Sequence, residues 1–180
     1  FLLLRSGLSW GMSGYLAFVL ILFLLFAYFL GNFMGMGAIG WILAIFISWF
    51  MGKKFLAYMV RKRSEKFIDM FPDAVDMIVR SVRSGHPVNT ALKMIAENMD
   101  SPIKEEFTQV VNEIAYGRTM VEALESLAAR IEENDLRFFV VVLNVQQETG
   151  GNLGEVLSNL SNILRKRKQL RLKIKALTSE

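Results

Sequence analysis

The residues best suited to chemistry lie in one glycine-rich stretch, QQETGGNLGEVL, which runs from Gln146 to Leu157. Glycine-rich turns can cradle a phosphate, help to hold a cation, or simply let two helices reverse direction. A phosphate-binding P-loop requires GxxxxGK[ST], with a lysine that reaches the phosphates, and no segment of the chain matches it. An EF-hand requires carboxylates at alternating positions before its glycine, and this stretch has too few. A weak divalent-cation site at Glu148 or Glu155 is the metal-binding alternative that stays open.

The remaining reactive residue types are scarce. His86 is the only histidine, and the chain has no cysteine. A zinc site needs several imidazole or thiolate ligands, so none is expected, and thiol catalysis and disulfides are excluded. No hydroxyl, base and acid are arranged for nucleophilic catalysis. We therefore predict no catalytic residues, no cofactor and no metal site, and interpret the protein as non-enzymatic.

The elements that must position this stretch begin with two apolar segments. The chain of 180 residues has a mean hydropathy of +0.35 and is 53% hydrophobic, which is too apolar for an ordinary soluble domain. Two charge-free segments, about 12–30 and 35–52, each approach the roughly 30 Å needed to cross a bilayer. A signal peptide is disfavoured because the first segment is long and a second one follows at once. The sequence therefore predicts a transmembrane helical hairpin over 12–52.

The basic residues orient this hairpin. The turn GNFMGMG (31–37) is short and uncharged, whereas the linker 53–66 is strongly basic. Because cytoplasmic flanks are rich in Lys and Arg, this linker and the segment 1–11 are predicted to be cytoplasmic, on a multi-pass protein. The basic residues of the linker are Lys53, Lys54, Arg61, Lys62, Arg63 and Lys66.

A second basic block occupies 165–180. It resembles a juxtamembrane stop, which would lead toward further membrane helices. A solvated helix end or a nucleic-acid arm is the alternative, since basic runs alone are unspecific. Its basic residues are Arg165, Lys166, Arg167, Lys168, Arg171, Lys173 and Lys175.

The region 67–164 is predicted to be a helical domain built from an internal repeat. GHPVNTALKMIA, GRTMVEALESLA and GGNLGEVLSNLS start 32 and then 33 residues apart, which indicates three helical hairpins and six helices. Gly85, Gly117 and Gly150 take equivalent turn positions, where glycine adopts a left-handed conformation without steric cost. The glycine-rich stretch is thus first of all a hinge.

Local signals place the helix starts. The spacing of a capping box occurs twice, at Thr119 with Glu122 and at Asn152 with Glu155. The three prolines are all expected at helix starts, and the first helix is expected from Asp73. Apolar residues at intervals of three and four predict one buried stripe in each following helix. The prolines are Pro72, Pro87 and Pro102, and the stripes are Val88, Leu92, Ile95, Met99 and Met120, Leu124, Leu127, Ile131.

These segments also resemble a known family. Residues 67 to 180 resemble the TadB family, relatives of the GspF-type platform proteins of type II secretion and type IV pilus machines. The resemblance is strongest in QQETGGNL and is also clear in SGHPVNTAL and DLRFF. The resemblance implies an all-α fold, with a cytoplasmic six-helix bundle on the bacterial inner membrane. It also implies a non-enzymatic platform that couples a hexameric secretion ATPase to pilin extraction and pilus assembly. The implied partners are that ATPase, a paralogous platform subunit, pilin and membrane lipids, in a homo- or hetero-oligomer, with no nucleic acid.

The turn after Glu148 is the candidate partner-binding site. An acid in the last turn of a helix opposes the helix dipole, so a cation should compensate it. Either Arg83 or Arg118 does so within the bundle, or a partner's cation does. The candidate surface comprises Glu148, Thr149, Gly150, Gly151 and Asn152.

Charge suggests two further surfaces. Residues 67–164 carry 7 Lys and Arg against 15 Asp and Glu, a net charge of −8. We hypothesise that the basic blocks bind anionic lipids and that the acidic surface faces the ATPase, with simple solubility as the alternative for the acidic surface. A membrane sensor or receptor with a helical relay domain is the second functional class, although the short turn over 31–37 leaves almost no external ligand surface.

Overall fold

The computed structural model describes residues 11–29, 37–149 and 152–178, and regular structure in these residues is helical, without a strand. The all-α prediction is confirmed. The chain divides into two compact units, Phe1–Arg63 and Ser64–Glu180. The helices are α1 Gly11–Tyr28, α2 Gly37–Arg83, α3 Val88–Asn98, α4 Ile103–Ala115, α5 Met120–Ile131, α6 Asn134–Thr149 and α7 Leu153–Thr178.

Some predicted features lie outside the described residues. They are nearly all of the segment 1–11, the turn over 31–36, and the glycines Gly150 and Gly151. The basic linker 53–66 lies within α2.

The first unit brings α1 against the first part of α2. Phe23 and Trp41 meet edge to face with ring centroids 6.2 Å apart. Ala44, Ser48 and Gly52 are buried at every fourth position of α2, so small side chains allow close helix approach. This packing accords with a helical hairpin.

The outer surface of this unit is apolar. Ile42 and Phe46 expose 68% and 65% of their surfaces. Within the described residues, one helix, from Trp41 onward, is long and apolar enough to cross a membrane, whereas Val19–Tyr28 forms a shorter apolar segment. The second predicted span is therefore supported, and the two-span hairpin stays a prediction.

The second unit is organised around four buried phenylalanines. Phe67 and Phe71 of α2 stack at 5.7 Å, and Phe67 also stacks on Phe107 of α4 at 6.5 Å. Phe139 of α6 meets Phe71 edge to face at 5.3 Å. Such aromatic pairs contribute about 1 kcal/mol each beyond the area they bury. The core therefore joins the first helix of each repeat.

The second helix of each repeat closes over this centre with its apolar stripe. Leu92 and Ile95 of α3, and Leu124 and Leu127 of α5, are fully buried. The outer members of both predicted stripes pack against the core while partly buried. Consecutive helices from α3 to α7 pack against each other. The two predicted stripes are confirmed.

The prediction that Pro72 starts a helix is wrong. Pro72 lies inside α2 and is buried. An internal proline costs about 3 kcal/mol, but residues on both sides of it, including Phe71 and Val75, are buried on one continuous face. Their burial outweighs the cost of the proline. Pro87 and Pro102 do precede the first residues of α3 and α4, as predicted.

Candidate functional site

Two glycine turns end the first helices of the first two repeats with the same geometry. Gly85 has φ +83° and Gly117 has φ +97°, which confirms the predicted left-handed conformation. Gly85 N donates to Val82 O at 2.9 Å and His86 N donates to Ser81 O at 3.1 Å. This pair of bonds is the Schellman arrangement, which satisfies the last carbonyls of a helix.

The turn at Gly117 repeats these bonds. Gly117 N donates to Ile114 O at 3.0 Å and Arg118 N donates to Glu113 O at 3.1 Å. Neither glycine has a heavy atom within 4 Å of where a Cβ would stand. Backbone conformation, and not lack of space, therefore explains why glycine occupies both positions.

The following helices open with caps. Glu122 N donates to Thr119 Oγ1 at 3.2 Å and Thr119 N donates to Glu122 Oε2 at 2.9 Å, which confirms the first predicted capping box. The backbone hydrogen bond from Thr119 is the main cause that lowers the pKa of Glu122. At α7, Glu155 N donates to Asn152 Oδ1 at 3.3 Å. Glu155 Oε2 accepts from the side-chain Nδ2 of Asn152 at 3.1 Å, so the return bond differs from that of the first box.

The predicted partner-binding turn is described only at its edges. Glu148 and Thr149 are the last residues of α6, and their side chains lie outside the described part of the structure, as do Gly150 and Gly151. Asn152 is exposed. The compensation of the Glu148 charge therefore stays a prediction.

The two arginines proposed to compensate Glu148 have other neighbours. Arg118 Nη1 binds Glu113 Oε2 at 2.8 Å. The Cγ of Arg83 lies 3.3 Å from the position that a Cβ on Gly154 would take. Gly154 thus makes room for the arginine stem, and the turn at Gly85 lies beside the start of α7.

The glycine turns share one end of the second unit, because consecutive antiparallel helices with short connections place alternate turns at the same end. We call this the turn end; it comprises residues 83–87, 116–119 and 152–154. Tyr116 is 89% exposed at this end, and Arg83 and His86 are also exposed. At the opposite end, Ser64 Oγ donates to Ile131 O at 3.2 Å.

A partly buried cluster of charges joins α4 to α5. Arg130 Nε binds Glu106 Oε2 at 3.0 Å, and its Nη1 binds Glu113 Oε1 at 3.1 Å. Nη1 of Arg130 also donates to Ser126 Oγ at 2.7 Å. The side chains of Arg130, Glu106 and Glu113 are only 20%, 10% and 15% exposed. We call Glu106, Glu113, Arg118, Ser126 and Arg130 the arginine cluster.

The arginine cluster sets the ionisation of Glu113. Burial alone would raise the pKa of this carboxyl, but the hydrogen bond from Arg118 and the charge of Arg130 outweigh it. Gln109 and Ser126 also donate to Glu113, and the pKa is lowered below 4.5. The cluster is therefore a structural ion-pair network, which sequence reasoning missed because Arg130 lies 17 residues from Glu113.

Much of the second basic block is held by acids of the bundle. Arg165 binds Asp76 and lies 3.5 Å from Asp73, while Arg171 lies 3.7 Å from Asp69. The three aspartates occur at intervals of four and three, so they follow one side of α2. We call Asp69, Asp73 and Asp76 the aspartate ladder.

Two further residues of the block, and one serine of α7, also contact the bundle. Arg167 binds Asp135 at the start of α6, and Ser161 donates to Asp76. Lys168 Nζ donates to the backbone oxygen of Asp69 at 2.6 Å, three residues before Pro72. Residues 165–168 were all predicted to lie at the membrane surface. Among them, Lys166 is exposed and makes no ion pair or hydrogen bond to the bundle within the described residues.

The first basic block lies on α2. Lys53 Nζ lies 3.7 Å from the ring centre of Trp49, and Lys54 Nζ lies 5.0 Å from that of Phe50. These cation–π contacts join residues four apart on the helix. Arg61, Lys62 and Lys66 are exposed, and Arg63 is half-buried.

No group of three His, Cys, Asp or Glu side chains is close enough to hold a metal ion in the part of the chain that the structure describes. His86 is exposed in the Gly85 turn, as expected of a helix-entry residue.

Comparison with known families matches residues 74–180 to the family described as Type II secretion system (T2SS), protein F. The match covers more than half of the chain, including α3 to α7, the arginine cluster and the second basic block. No curated protein and no solved structure matches the chain.

Proposed function

The chain belongs to the type II secretion system protein F family, and we propose that it is the inner-membrane platform of a Tad or type IV pilus-like machine. In this proposal the protein couples a hexameric secretion ATPase to pilin extraction and pilus assembly. The family match over 74–180 is the observation that carries it. The charge-free hairpin would anchor a multi-pass protein, with the second unit in the cytoplasm.

The turn end is the surface that we assign to the ATPase. Tyr116 exposes 89% of its surface there, although its neighbours in α4 build the core. Tyrosine and arginine are the residue types that most often dominate protein interfaces. Arg83 is exposed beside the start of α7, next to the glycine-rich stretch. These features support a partner contact at the turn end.

The other proposed partners are a paralogous platform subunit, pilin and membrane lipids. Small residues are buried along one face of α2 in the first unit, which is the residue type found where helices pack closely in membranes. Equivalent packing between subunits would give the homo- or hetero-oligomer that a platform requires.

The test is co-purification of the ATPase with the full chain from detergent-solubilised membranes. We expect Tyr116→Ala to lose the ATPase, because the side chain makes little contact within its own fold. The matched control is Val141→Ala, which truncates a side chain 58% exposed on the outer face of α6. This control should retain the ATPase.

A second variant addresses the glycine-rich stretch directly. Gly150→Val with Gly151→Val should also lose the ATPase while the helical circular dichroism signal is kept. Retention of the ATPase by both variants would show that the turn end is not the coupling surface. Absence of any ATPase from the unchanged protein would refute the coupling and favour the sensor or receptor alternative.

A further inference from the structure

The last part of α7 extends beyond the packed core. Leu164 is 4% exposed and Lys168 is half-buried, but each residue with a described side chain from Gln169 to Thr178 is exposed. The segment continues a helix of 26 residues, but its own side chains gain none of the tertiary packing that supplies most helical stability in proteins. Its surface is therefore available for packing.

One side of this segment is apolar. Ile163, Leu170, Ile174 and Leu177 are 47%, 58%, 62% and 78% exposed. Their spacing of seven, four and three residues places them along one line of the helix. We call these four residues the α7 stripe. Leu172 lies on the opposite side.

The basic residues of α7 divide into two groups around this stripe. Arg165, Arg167, Lys168 and Arg171 are engaged by Asp135, by the aspartate ladder or by a backbone oxygen on α2. Lys166 and Lys173 lie seven residues apart along one edge of the stripe. Both are exposed, and neither makes an ion pair within the described residues.

The charges decide between the possible occupants of the α7 stripe. A second copy of α7 would bring lysines and arginines at the edges of one stripe against those of the other, and like charges flanking a helical seam disfavour pairing. An anionic bilayer surface instead receives apolar side chains at the acyl boundary and lysine ammonium groups among the headgroups.

We propose that the α7 stripe lies on the anionic surface of the bilayer, held by Lys166 and Lys173. The inference rests on the membrane placement in the proposed function. It assigns the arginines of the block to internal pairing and two lysines to the lipid. It is independent of the ATPase contact, so the two proposals can fail separately.

The absence of cysteine allows a site-specific test on the full chain. Ile174→Cys is labelled with an environment-sensitive fluorophore, and the protein is reconstituted into vesicles of phosphatidylcholine with or without phosphatidylglycerol. Nitroxide-labelled lipids then report contact by quenching. Leu172→Cys, on the opposite side of the same helix, is the matched label position. We expect strong quenching at position 174 in anionic vesicles and little at position 172.

The contribution of the lysines is measured with Lys166→Gln and Lys173→Gln in the labelled protein. We expect about a 30-fold fall in the ratio of docked to undocked helix, which corresponds to about 1 kcal/mol for each lysine. Lys93→Gln with Lys104→Gln removes the same charge from exposed sites on α3 and α4 and should leave the quenching unchanged. Salt at about 1 M, where the Debye length falls to about 3 Å, should weaken docking.

Three results would overturn the proposal. Equal quenching at positions 172 and 174 would show that the stripe does not face lipid. Equal quenching with and without phosphatidylglycerol would refute the anionic surface. Fluorophore self-quenching between copies, without quenching by lipid, would assign the stripe to a second copy of the chain.

Discussion

Replacing Arg130 by methionine tests whether the arginine cluster stabilises the bundle as its geometry indicates. Methionine keeps most of the aliphatic packing but removes the charge that Glu106 and Glu113 share at 3.0 and 3.1 Å. Removal of one partner from a buried ion pair costs about 3–5 kcal/mol, because the other charge stays buried. Since Arg118 still binds Glu113, we expect the lower end, about 3 kcal/mol. For a unit of this size that lowers the Tm by about 10 °C.

The pH dependence gives the sharper result. The pKa of Glu113 is lowered in the folded protein, so its stabilisation is present above the unfolded pKa and is lost as the pH falls through the folded pKa. The destabilisation by Arg130→Met should therefore be largest near neutral pH and shrink as the pH falls through the lowered folded pKa of Glu113.

The assay is thermal unfolding of the full chain, followed by circular dichroism across this pH range. Arg118→Met is the matched control; the arginine it replaces is 56% exposed, so its loss should cost below about 1 kcal/mol. Adding Glu106→Gln and Glu113→Gln to Arg130→Met should recover part of the stability. A cost below about 1 kcal/mol for Arg130→Met, or one that does not change with pH, would refute the reasoning.

Three further substitutions have expected effects on the free energy of unfolding, each measured by chemical denaturation. Gly117→Ala should destabilise the fold by about 1 kcal/mol, because the φ of Gly117 is +97°. Gly154→Ala should cost less, because Gly154 has negative φ and its neighbour is a flexible arginine stem. The reverse order would contradict the left-handed role assigned to Gly117. Thr119→Ala should cost about 1 kcal/mol through loss of the capping box, whereas Thr108→Ala, which loses only a bond to a backbone oxygen inside α4, should be near neutral. Asp76→Ala should cost about 1–2 kcal/mol, because it leaves the buried Ser161 hydroxyl without its acceptor. An unchanged free energy of unfolding would show that the aspartate ladder does not hold α7.

Features that depend on local sequence were predictable. The 32-residue spacing located the turns at Gly85 and Gly117, because a left-handed residue after a helix strongly favours glycine. The capping box at Thr119 followed from two side chains three residues apart. Both are decided within a few residues of chain, so no knowledge of the tertiary packing was needed.

Features that depend on distant residues were not predictable. Pro72 indicated a helix start by local rules, but the burial of both flanking segments keeps α2 continuous. The basic block was interpreted as a membrane flank, although Arg165 lies 89 residues from its partner Asp76. The spacing of the aspartate ladder was visible in the sequence, yet nothing local identified α7 as the element that meets it.

The distribution of ionic contacts bears on where a partner can be detected. The aspartate ladder and Asp135 hold α7 through side chains, and the arginine cluster joins α4 to α5. The Schellman turns at the turn end are instead closed by backbone hydrogen bonds, and Tyr116 there is 89% exposed. A side-chain truncation at Tyr116 should therefore leave stability within about 0.5 kcal/mol. Loss of a partner on that truncation would report the contact itself, because the fold does not depend on the side chain removed.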